Sequence, residues 1–386
     1  MIEEKEHIAL ILKLARKAVI ILSFIATGCL EPYNPPEIEN LGDILVVDGF
    51  INASDSSGMV LLSKATPLAE DIKPLPVTNA LVQIEDENGF AYTLNEIAQG
   101  NYSASKMDLD PSKRYRLFVQ TRSDKLYYSE FIELRSSPPI DSITWHPTLR
   151  NDGIEIFVNT HDDSGNTKYY QWTFGETWEY RSRYGAFYKV ESGVAVINPI
   201  DINRCYISKS STEIHVGTSV ALASDVIRNF SLMFIPVKSQ KISIKYSILV
   251  QQRSLTKEAY DFWVALKKST ESLGSLFDPL PSQVLGNMYS KNDPFEPVLG
   301  YFSGGQTKEK RIFIGIRDLP IDLRIPPVPS CPVDSILNMD IRNTPDMFLI
   351  NSYGSPFPIG FTTSAGKNCM DCRDDGGSLV RPDFWQ

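Results

Sequence analysis

Cysteine is the residue type whose number and spacing in this sequence point to specific chemistry. Five cysteines are present, and Cys29 stands apart from the others, directly behind an apolar N-terminal run. The other four are Cys205, Cys331, Cys369 and Cys372. An even number of cysteines in an oxidising compartment predicts two disulfides, and four cysteines allow three pairings. The spacing does not choose among these pairings.

Cys369 and Cys372 form a CxxC motif, which also occurs in redox sites and in four-cysteine zinc sites. A zinc site of that kind prefers a second close pair, whereas Cys205 and Cys331 stand alone. The motif also lacks the surrounding βαβ pattern of thioredoxin-like proteins. We therefore favour structural disulfides over zinc or redox chemistry, and we expect no cofactor and no metal.

The residues before Cys29 have the order of an export signal. Arg16 and Lys17 precede an apolar run at residues 18–25, which is well short of the ~20 residues that a membrane-spanning helix needs. Ala26-Thr27-Gly28-Cys29 then resembles the lipobox of bacterial lipoproteins. Residues 1–28 are thus predicted to be a lipoprotein signal peptide, and the Cys29 thiol is predicted to carry a diacylglycerol. Residues 29–40 are rich in proline and are expected to form a tether.

Catalytic motifs are missing from the sequence. It contains no HExxH, no GxSxG and no P-loop, and its four histidines are dispersed. The run His161-Asp-Asp-Ser-Gly-Asn166 misses the ligand spacing of an EF-hand, so a hairpin turn held by Asx side chains is favoured over calcium binding. We expect no enzymatic activity.

Aromatic side chains cluster between residues 169 and 188. Aromatic strands usually fill a sandwich core, which is the interpretation we favour. The alternative is a platform on which a sugar could stack. The candidates for ligand stacking are Tyr169, Trp178 and Tyr180.

Short alternating segments separated by turns predict the fold. Residues 80–85 alternate, and Asn88-Gly89 favours a hairpin. The fold class is therefore mainly β, with tandem Ig-like or prealbumin-like β-sandwiches, one inserted α-helix and an irregular C-terminal tail. We expect an N-terminal β-sandwich at 41–135, a second sandwich-like domain at 140–320 with a helix at 256–273 capped by Thr256, and an irregular cysteine-containing tail at 321–386.

Charge excludes one class of partner. The chain has 38 basic and 47 acidic residues, a formal net charge of −9. No basic patch or RNA-type aromatic motif stands out, so we expect no nucleic-acid partner.

Several short motifs follow one another in an order that resembles a known family. They are Leu45-Val-Val-Asp-Gly49, Tyr246-Ser-Ile-Leu-Val-Gln251, Glu258-Ala-Tyr-Asp-Phe-Trp263, Gly274-Ser-Leu-Phe-Asp-Pro279, Gly286-Asn287, Val298-Leu-Gly-Tyr-Phe302, Cys369-Met-Asp-Cys-Arg373 and Arg381-Pro-Asp-Phe-Trp385. With the lipobox, this order resembles the Bacteroidota outer-membrane lipoprotein family called domain of unknown function 4249. The resemblance covers nearly the whole mature chain and brings no catalytic residues to carry over.

The resemblance implies an outer-membrane lipoprotein, often encoded beside a TonB-dependent transporter of the SusC type. We therefore expect a non-enzymatic accessory lipoprotein, anchored in the outer membrane by its N-terminal diacylglycerol, on the periplasmic or the cell-surface side, with the cell surface favoured. Its expected partner is a TonB-dependent transporter or another outer-membrane protein. The alternative is a free-standing surface lipoprotein that binds a glycan or a peptide through exposed aromatics, and a hydrolase is less favoured.

Overall fold

The computed structural model describes residues 44–65, 74–150, 152–271, 284–324, 330–364 and 366–386. Residues 1–43 lie outside this part. The predictions for Cys29, the signal peptide and the tether therefore fall outside the described residues.

Strands make up most of the regular structure. The strands of the N-terminal third are β1 (Leu45–Asn52), β2 (Ser57–Lys64), β3 (Leu75–Pro76), β4 (Leu81–Asp86), β5 (Ala91–Ala98), β6 (Asn101–Ala104), β7 (Arg114–Gln120), β8 (Leu126–Ser129) and β9 (Ile132–Glu133). The middle of the chain forms β10 (Ile140–Pro147), β11 (Gly153–His161), β12 (Tyr169–Arg181), β13 (Tyr188–Glu191), β14 (Val194–Ile197), β15 (Arg204–Ser210), β16 (His215–Thr218), β17 (Val226–Pro236) and β18 (Lys245–Ser254). The remaining strands are β19 (Met288–Ser290), β20 (Val298–Gly305), β21 (Thr307–Gly315), β22 (Val333–Leu337), β23 (Phe348–Leu349), β24 (Ser352–Tyr353) and β25 (Gly360–Ser364).

Alternating apolar residues build the first lobe, which consists of β1–β9, β19 and β20. In β4 and β7 every second side chain is buried, and these strands pair antiparallel at the centre of the sheet. The sheet runs in the order β19-β8-β7-β4-β5-β6-β2-β1-β20. The predicted Asn-Gly hairpin joins β4 to β5, where the Asp86 carboxylate accepts hydrogen bonds from the backbone N–H groups of Asn88 and Phe90, both at 2.9 Å.

Two strands from late in the chain complete the first lobe. β20 pairs parallel with β1, so that Leu45 lies opposite Val298, and β19 pairs antiparallel with β8. Met288, Val298 and Phe302 are buried in the same core as side chains of β1, β2 and β4–β8. The sequence predicts this sandwich over residues 41–135, whereas the core of the structure also takes in side chains from residues 288–302.

The second lobe consists of β10–β12, β15–β18 and β21. One sheet has the order β10-β11-β17 and the other has the order β15-β12-β18-β21, with β16 also paired to β12. Both sheets contribute to one core, which includes Trp172 and Tyr246. The fully buried Gln252 satisfies polar groups inside it, because its side chain accepts a bond from Trp172 Nε1 at 2.9 Å and donates to Pro138 O and Thr160 Oγ1.

Helix α1 (Lys257–Glu271) follows β18 directly. Thr256 caps it, as predicted, since its Oγ1 accepts a hydrogen bond from the N–H of Ala259 at 3.2 Å. The last two residues of the predicted helix, 272 and 273, lie outside the described part. Within the described residues no helix combines the length and the apolar character that crossing a membrane requires.

The tail that was predicted to be irregular, residues 321–386, forms short strands, and one of them pairs with a hairpin from the middle of the chain. β13 and β14 form a hairpin that is extended by β23, and β24, β25 and β22 form another small sheet. We call residues 184–202 and 330–372 together the tail lobe. Its two small cores are centred on Ile202 with Ile350 and on Val190 with Leu349. The prediction of a mainly β fold is confirmed, and the tail contains short strands.

Candidate functional site

The four remaining cysteines form two disulfides, as predicted. Cys205 pairs with Cys372 and Cys331 pairs with Cys369, each with a Cα–Cα distance of 5.7 Å. The two members of the CxxC motif therefore belong to different bridges and are not a redox pair with each other. Among the described residues, no group of three or more His, Cys, Asp or Glu side chains is arranged to hold a metal ion.

One disulfide lies within the tail lobe, and the other connects the tail lobe to the second lobe. Cys331–Cys369 closes the lobe on itself, whereas Cys205–Cys372 ties it to β15 of the second lobe. Backbone hydrogen bonds run beside both bridges, from Tyr184 N to the oxygen of Cys369 and from Cys372 N to the oxygen of Ile202. A segment with little regular structure is thus held in place by covalent links and short pairings.

Large apolar side chains are exposed across the tail lobe. On the hairpin of β13 and β14, Val194 is 60% exposed and Ile197 is 76% exposed, and Phe357 beyond β24 is 79% exposed. Phe187, Ile200, Met339 and Ile359 are also exposed. Exposed apolar side chains that adjoin one another mark surfaces that bind a partner. This surface is one candidate functional region.

Two of the predicted stacking residues are buried in the core. Trp178 is 4% exposed, and its Nε1 donates to Gln240 Oε1 at 3.3 Å. Tyr180 is 1% exposed, and its hydroxyl donates to the backbone oxygen of Cys372. Neither ring face is open to solvent, so both residues fill the core, which is the interpretation we favoured, and the stacking alternative is wrong for these two residues. Tyr169 is half-buried, and its ring lies 5.0 Å from the ring of Tyr260 on helix α1.

A cleft of about 310 Å³ lies where the first lobe meets the start of helix α1, and we call it the junction cleft. Strands β9 and β20 form one wall, and the end of β18 with the first turn of the helix forms the other. The lining residues include Phe50, Arg114, Glu130, Phe131, Glu133, Arg135, Ser254, Thr256, Glu258, Asn287, Tyr301 and Ser303. The sequence motifs did not predict this site.

Aromatic rings form the apolar part of the junction cleft. The guanidinium of Arg253 lies 3.6 Å from the centre of the Phe50 ring, and the guanidinium of Arg116 lies 5.0 Å from that of Phe131. Tyr301 packs on Phe262 of the helix with ring centres 5.0 Å apart. Because these contacts already restrict the rings, a ligand that packs against their open faces causes little further loss of side-chain entropy.

Polar groups of both signs surround these rings. Arg135 lies 3.4 Å from Glu133, and Glu258 occupies the first turn of the helix. The hydroxyl of Ser254 is buried and has no hydrogen-bond partner among the residues that the structure describes. Burial raises the pKa of the Tyr301 hydroxyl, so it remains protonated at neutral pH and can donate a hydrogen bond. The arrangement suits binding of a polar ligand with an apolar face.

Close backbone contacts hold the wall of the cleft. Gly300 has a φ of +103°, and a Cβ there would lie 1.8 Å from the oxygen of Val47. A Cβ on Gly286 would lie 1.5 Å from the oxygen of Gly300. The Asn287 side chain then bonds to both the N–H and the oxygen of Phe302, at 2.8 and 2.7 Å. The glycines next to Asn287 and Tyr301 were the sequence signal that could have located this site.

The predicted Asx turn is present after β11. Asp162 accepts hydrogen bonds from Ser164 N at 2.9 Å and from Thr167 N at 2.8 Å. Burial raises the pKa of Asp162, but hydrogen bonds from the side chains and the backbone N–H groups of Ser164 and Thr167 outweigh burial and bring the pKa to about 2. The neighbouring His161 bonds to Asp141 at 2.8 Å, which raises the pKa of the imidazole. These contacts account for the polar run as a structural turn.

Comparison with known proteins identifies the family. The family model described as "Domain of unknown function (DUF4249)" matches residues 31–311, and the chain therefore belongs to this family. The match includes both walls of the junction cleft and ends before the C-terminal tail motifs. No curated protein matches the chain.

Proposed function

We propose that this DUF4249 chain is a non-enzymatic, lipid-anchored accessory lipoprotein of the outer membrane that binds a TonB-dependent transporter of the SusC type. The resemblance of residues 26–29 to a lipobox supports the anchor. Fourteen residues lie between Cys29 and Ile44, the first described residue, and a chain of that length spans at most about 50 Å. The folded part would thus stay within that distance of the bilayer.

The observation that carries the partner-binding role is the apolar surface of the tail lobe. Ile197 and Phe357 are exposed, and a partner that buries their apolar area would stabilise the complex by about 25 cal/mol per Å² buried. Two disulfides hold this surface in place, so binding orders few additional groups. A membrane-protein partner would cover the surface permanently, whereas a soluble monomer leaves it in water.

Isolation from cell envelopes in mild detergent tests this proposal. The tagged protein should bring a TonB-dependent transporter with it, and Ile197→Asp together with Phe357→Asp should abolish that recovery. Phe90→Asp is the matched control, because Phe90 is 60% exposed on the first lobe. Recovery of the tagged protein alone would contradict the proposal, as would equal loss in the control. Intact mass of the same sample, compared with Cys29→Ser, tests the diacylglycerol separately.

The junction cleft favours a second candidate function, a free-standing lipoprotein that binds a glycan or a peptide. Its aromatic rings and its carboxylate, guanidinium and hydroxyl groups match the mixed chemistry of such ligands. A glycan array and a peptide library, each followed by calorimetric titration, would identify the ligand. Phe131→Ala should weaken binding at least tenfold, whereas Phe295→Ala, which removes a ring that is 93% exposed elsewhere, should leave it unchanged. No binding by the unaltered protein would exclude this candidate.

A further inference from the structure

Three aromatic side chains form a continuous row on the outer face of the first lobe. Phe118 on β7 lies directly opposite Tyr128 on β8, and Tyr128 lies directly opposite Tyr289 on β19. The centres of neighbouring rings are 5.0 and 6.3 Å apart. The residues on either side of each ring in the sequence are buried, so the three rings lie on the other face of the sheet, away from the core. We call these three residues the aromatic row.

Two cations hold the middle ring of the aromatic row. The guanidinium of Arg116 lies 4.5 Å from the centre of the Tyr128 ring, and the ammonium of Lys291 lies 5.6 Å from it. In the described part of the chain no cation lies over Phe118 or Tyr289, and Tyr289 is 46% exposed. The two outer rings therefore offer apolar surface to a ligand, while the middle ring contributes its hydroxyl.

The charges beside the aromatic row are mostly paired. Arg116 lies 2.8 Å from Glu85 on β4, and Arg114 lies 3.0 Å from Glu87. Lys291 is exposed and adds one cation. The row is thus surrounded by hydrogen-bond donors and acceptors with little net charge. Such a surface suits the hydroxyl groups of a neutral sugar, whereas a polyanion is attracted by an excess of cations.

The aromatic row continues from the junction cleft. Phe131 lines the cleft, and the guanidinium of Arg116 that packs on Tyr128 also lies 5.0 Å from the centre of the Phe131 ring. Arg114, which lines the cleft as well, lies 5.7 Å from the same ring. One run of packed cations and rings therefore connects the cleft with the row, and a ligand that fills the cleft can extend over the row.

The regular spacing of the aromatic row indicates what kind of ligand extends over it. Neighbouring strands lie about 4.8 Å apart, and the sheet presents one ring of the row on each strand. An oligosaccharide repeats an apolar C–H face and a rim of hydroxyl groups at a similar interval. An extended peptide brings backbone N–H and C=O groups that need hydrogen-bond partners, and aromatic rings supply few of them.

We infer that the ligand of the junction cleft is a neutral oligosaccharide, and that the aromatic row provides further subsites along which its chain extends. Sugar units pack their apolar faces on Phe118 and Tyr289, and their hydroxyl groups bond to the Tyr128 hydroxyl and the Lys291 ammonium. The inference rests on the second candidate function, in which the cleft binds a glycan or a peptide, and it selects the glycan.

The dependence of binding on chain length tests the inference. The probes are neutral oligosaccharides of the cellulose, xylan, mannan and starch types, from disaccharides to octasaccharides, on an array and then in calorimetric titration. Affinity for the type that binds should rise with length. Tyr289→Ala should weaken binding of the long chains about fivefold and leave binding of the disaccharide unchanged, because the short ligand occupies the cleft alone. Phe131→Ala, inside the cleft, should weaken binding at every length.

Phe90→Ala provides the matched control. Phe90 is 60% exposed on the same lobe and lies outside both the cleft and the aromatic row, so this variant should keep the length dependence of the unaltered protein. Affinity that does not rise with length, an equal loss in Phe90→Ala, or binding of anionic heparin in place of the neutral chains would each overturn the inference. Binding of peptides without any oligosaccharide would also overturn it and leave the second candidate function standing. Binding of neither class would exclude both.

Discussion

Removal of each disulfide in turn tests the argument that covalent links hold the C-terminal tail. Cys205 and Cys372 are 167 residues apart, whereas Cys331 and Cys369 are 38 apart. A bridge restricts the unfolded chain more when it closes a longer loop. The chain-entropy model gives a stabilisation of about 5 kcal/mol for Cys205–Cys372 and about 4 kcal/mol for Cys331–Cys369.

Alanine is the appropriate replacement for these buried cysteines. Cys205 and Cys372 are fully buried in the core of the second lobe, and a serine hydroxyl there would need a partner. Urea denaturation of the two double-alanine variants gives the loss in free energy of unfolding. Hydrogen exchange of the β25 amides measures the local stability of the tail lobe, and exchange of the β12 amides measures that of the second lobe.

Removal of Cys331–Cys369 should speed exchange in β25 and leave β12 nearly unchanged, because that bridge lies within the tail lobe. Removal of Cys205–Cys372 should affect both strands, since one end of the bridge is on β15 next to β12. The second variant should also be the less stable one by about 1 kcal/mol. Equal free-energy losses with identical exchange patterns would refute the reasoning from loop length and position.

Three further predictions follow from single contacts. Gly300→Ala should abolish soluble expression, because the added Cβ would clash with the backbone of the neighbouring strand β1. Gly89→Ala has open space around the added Cβ and should lower the free energy of unfolding, measured by thermal denaturation, by only about 1–2 kcal/mol. The hydrogen bond that the His161 ring donates to the Asp141 carboxylate raises the pKa of His161, so Asp141→Asn should lower that pKa in an NMR titration. The pair stabilises the fold below the ordinary histidine pKa and ceases to do so as pH rises through the raised value. Trp385→Ala should destabilise the protein by about 3–5 kcal/mol in urea, because the ring is 4% exposed.

Local sequence patterns were sufficient to predict strands such as β4 and β7 and the start of helix α1. Alternation in β4 and β7 reflects one buried and one open face, and the Thr256 cap marks the start of helix α1. The pairing of β1 with β20 could not be read in this way, since Leu45 and Val298 are 253 residues apart. β19 has only three residues, which is too short for alternation to identify.

The aromatic strand β12 shows why the stacking alternative could not be excluded from the sequence. Alternation would place Trp178 and Tyr180 on one face and Glu179 on the other, so one set should reach solvent. Trp178 and Tyr180 face the core of the second lobe, and Glu179 is buried as well because the end of the chain covers the other face, where Trp385 Nε1 donates to Glu179 Oε2 at 3.3 Å. No sequence pattern within β12 indicates that residues about 200 positions later in the chain bury its second face.

The two lobes that form the junction cleft are joined closely enough to fix its shape. Gln306 alone separates β20 in the first lobe from β21 in the second, and its N–H bonds to the oxygen of Arg135 at 2.7 Å, just before the chain first enters the second lobe. Ser54 Oγ bonds to both the N–H and the oxygen of Thr307 at 3.0 Å. A hinge motion at this junction would have to break these hydrogen bonds together. The cleft is therefore already formed without a ligand, and little binding free energy is lost to rearrangement of the protein when a ligand fits it.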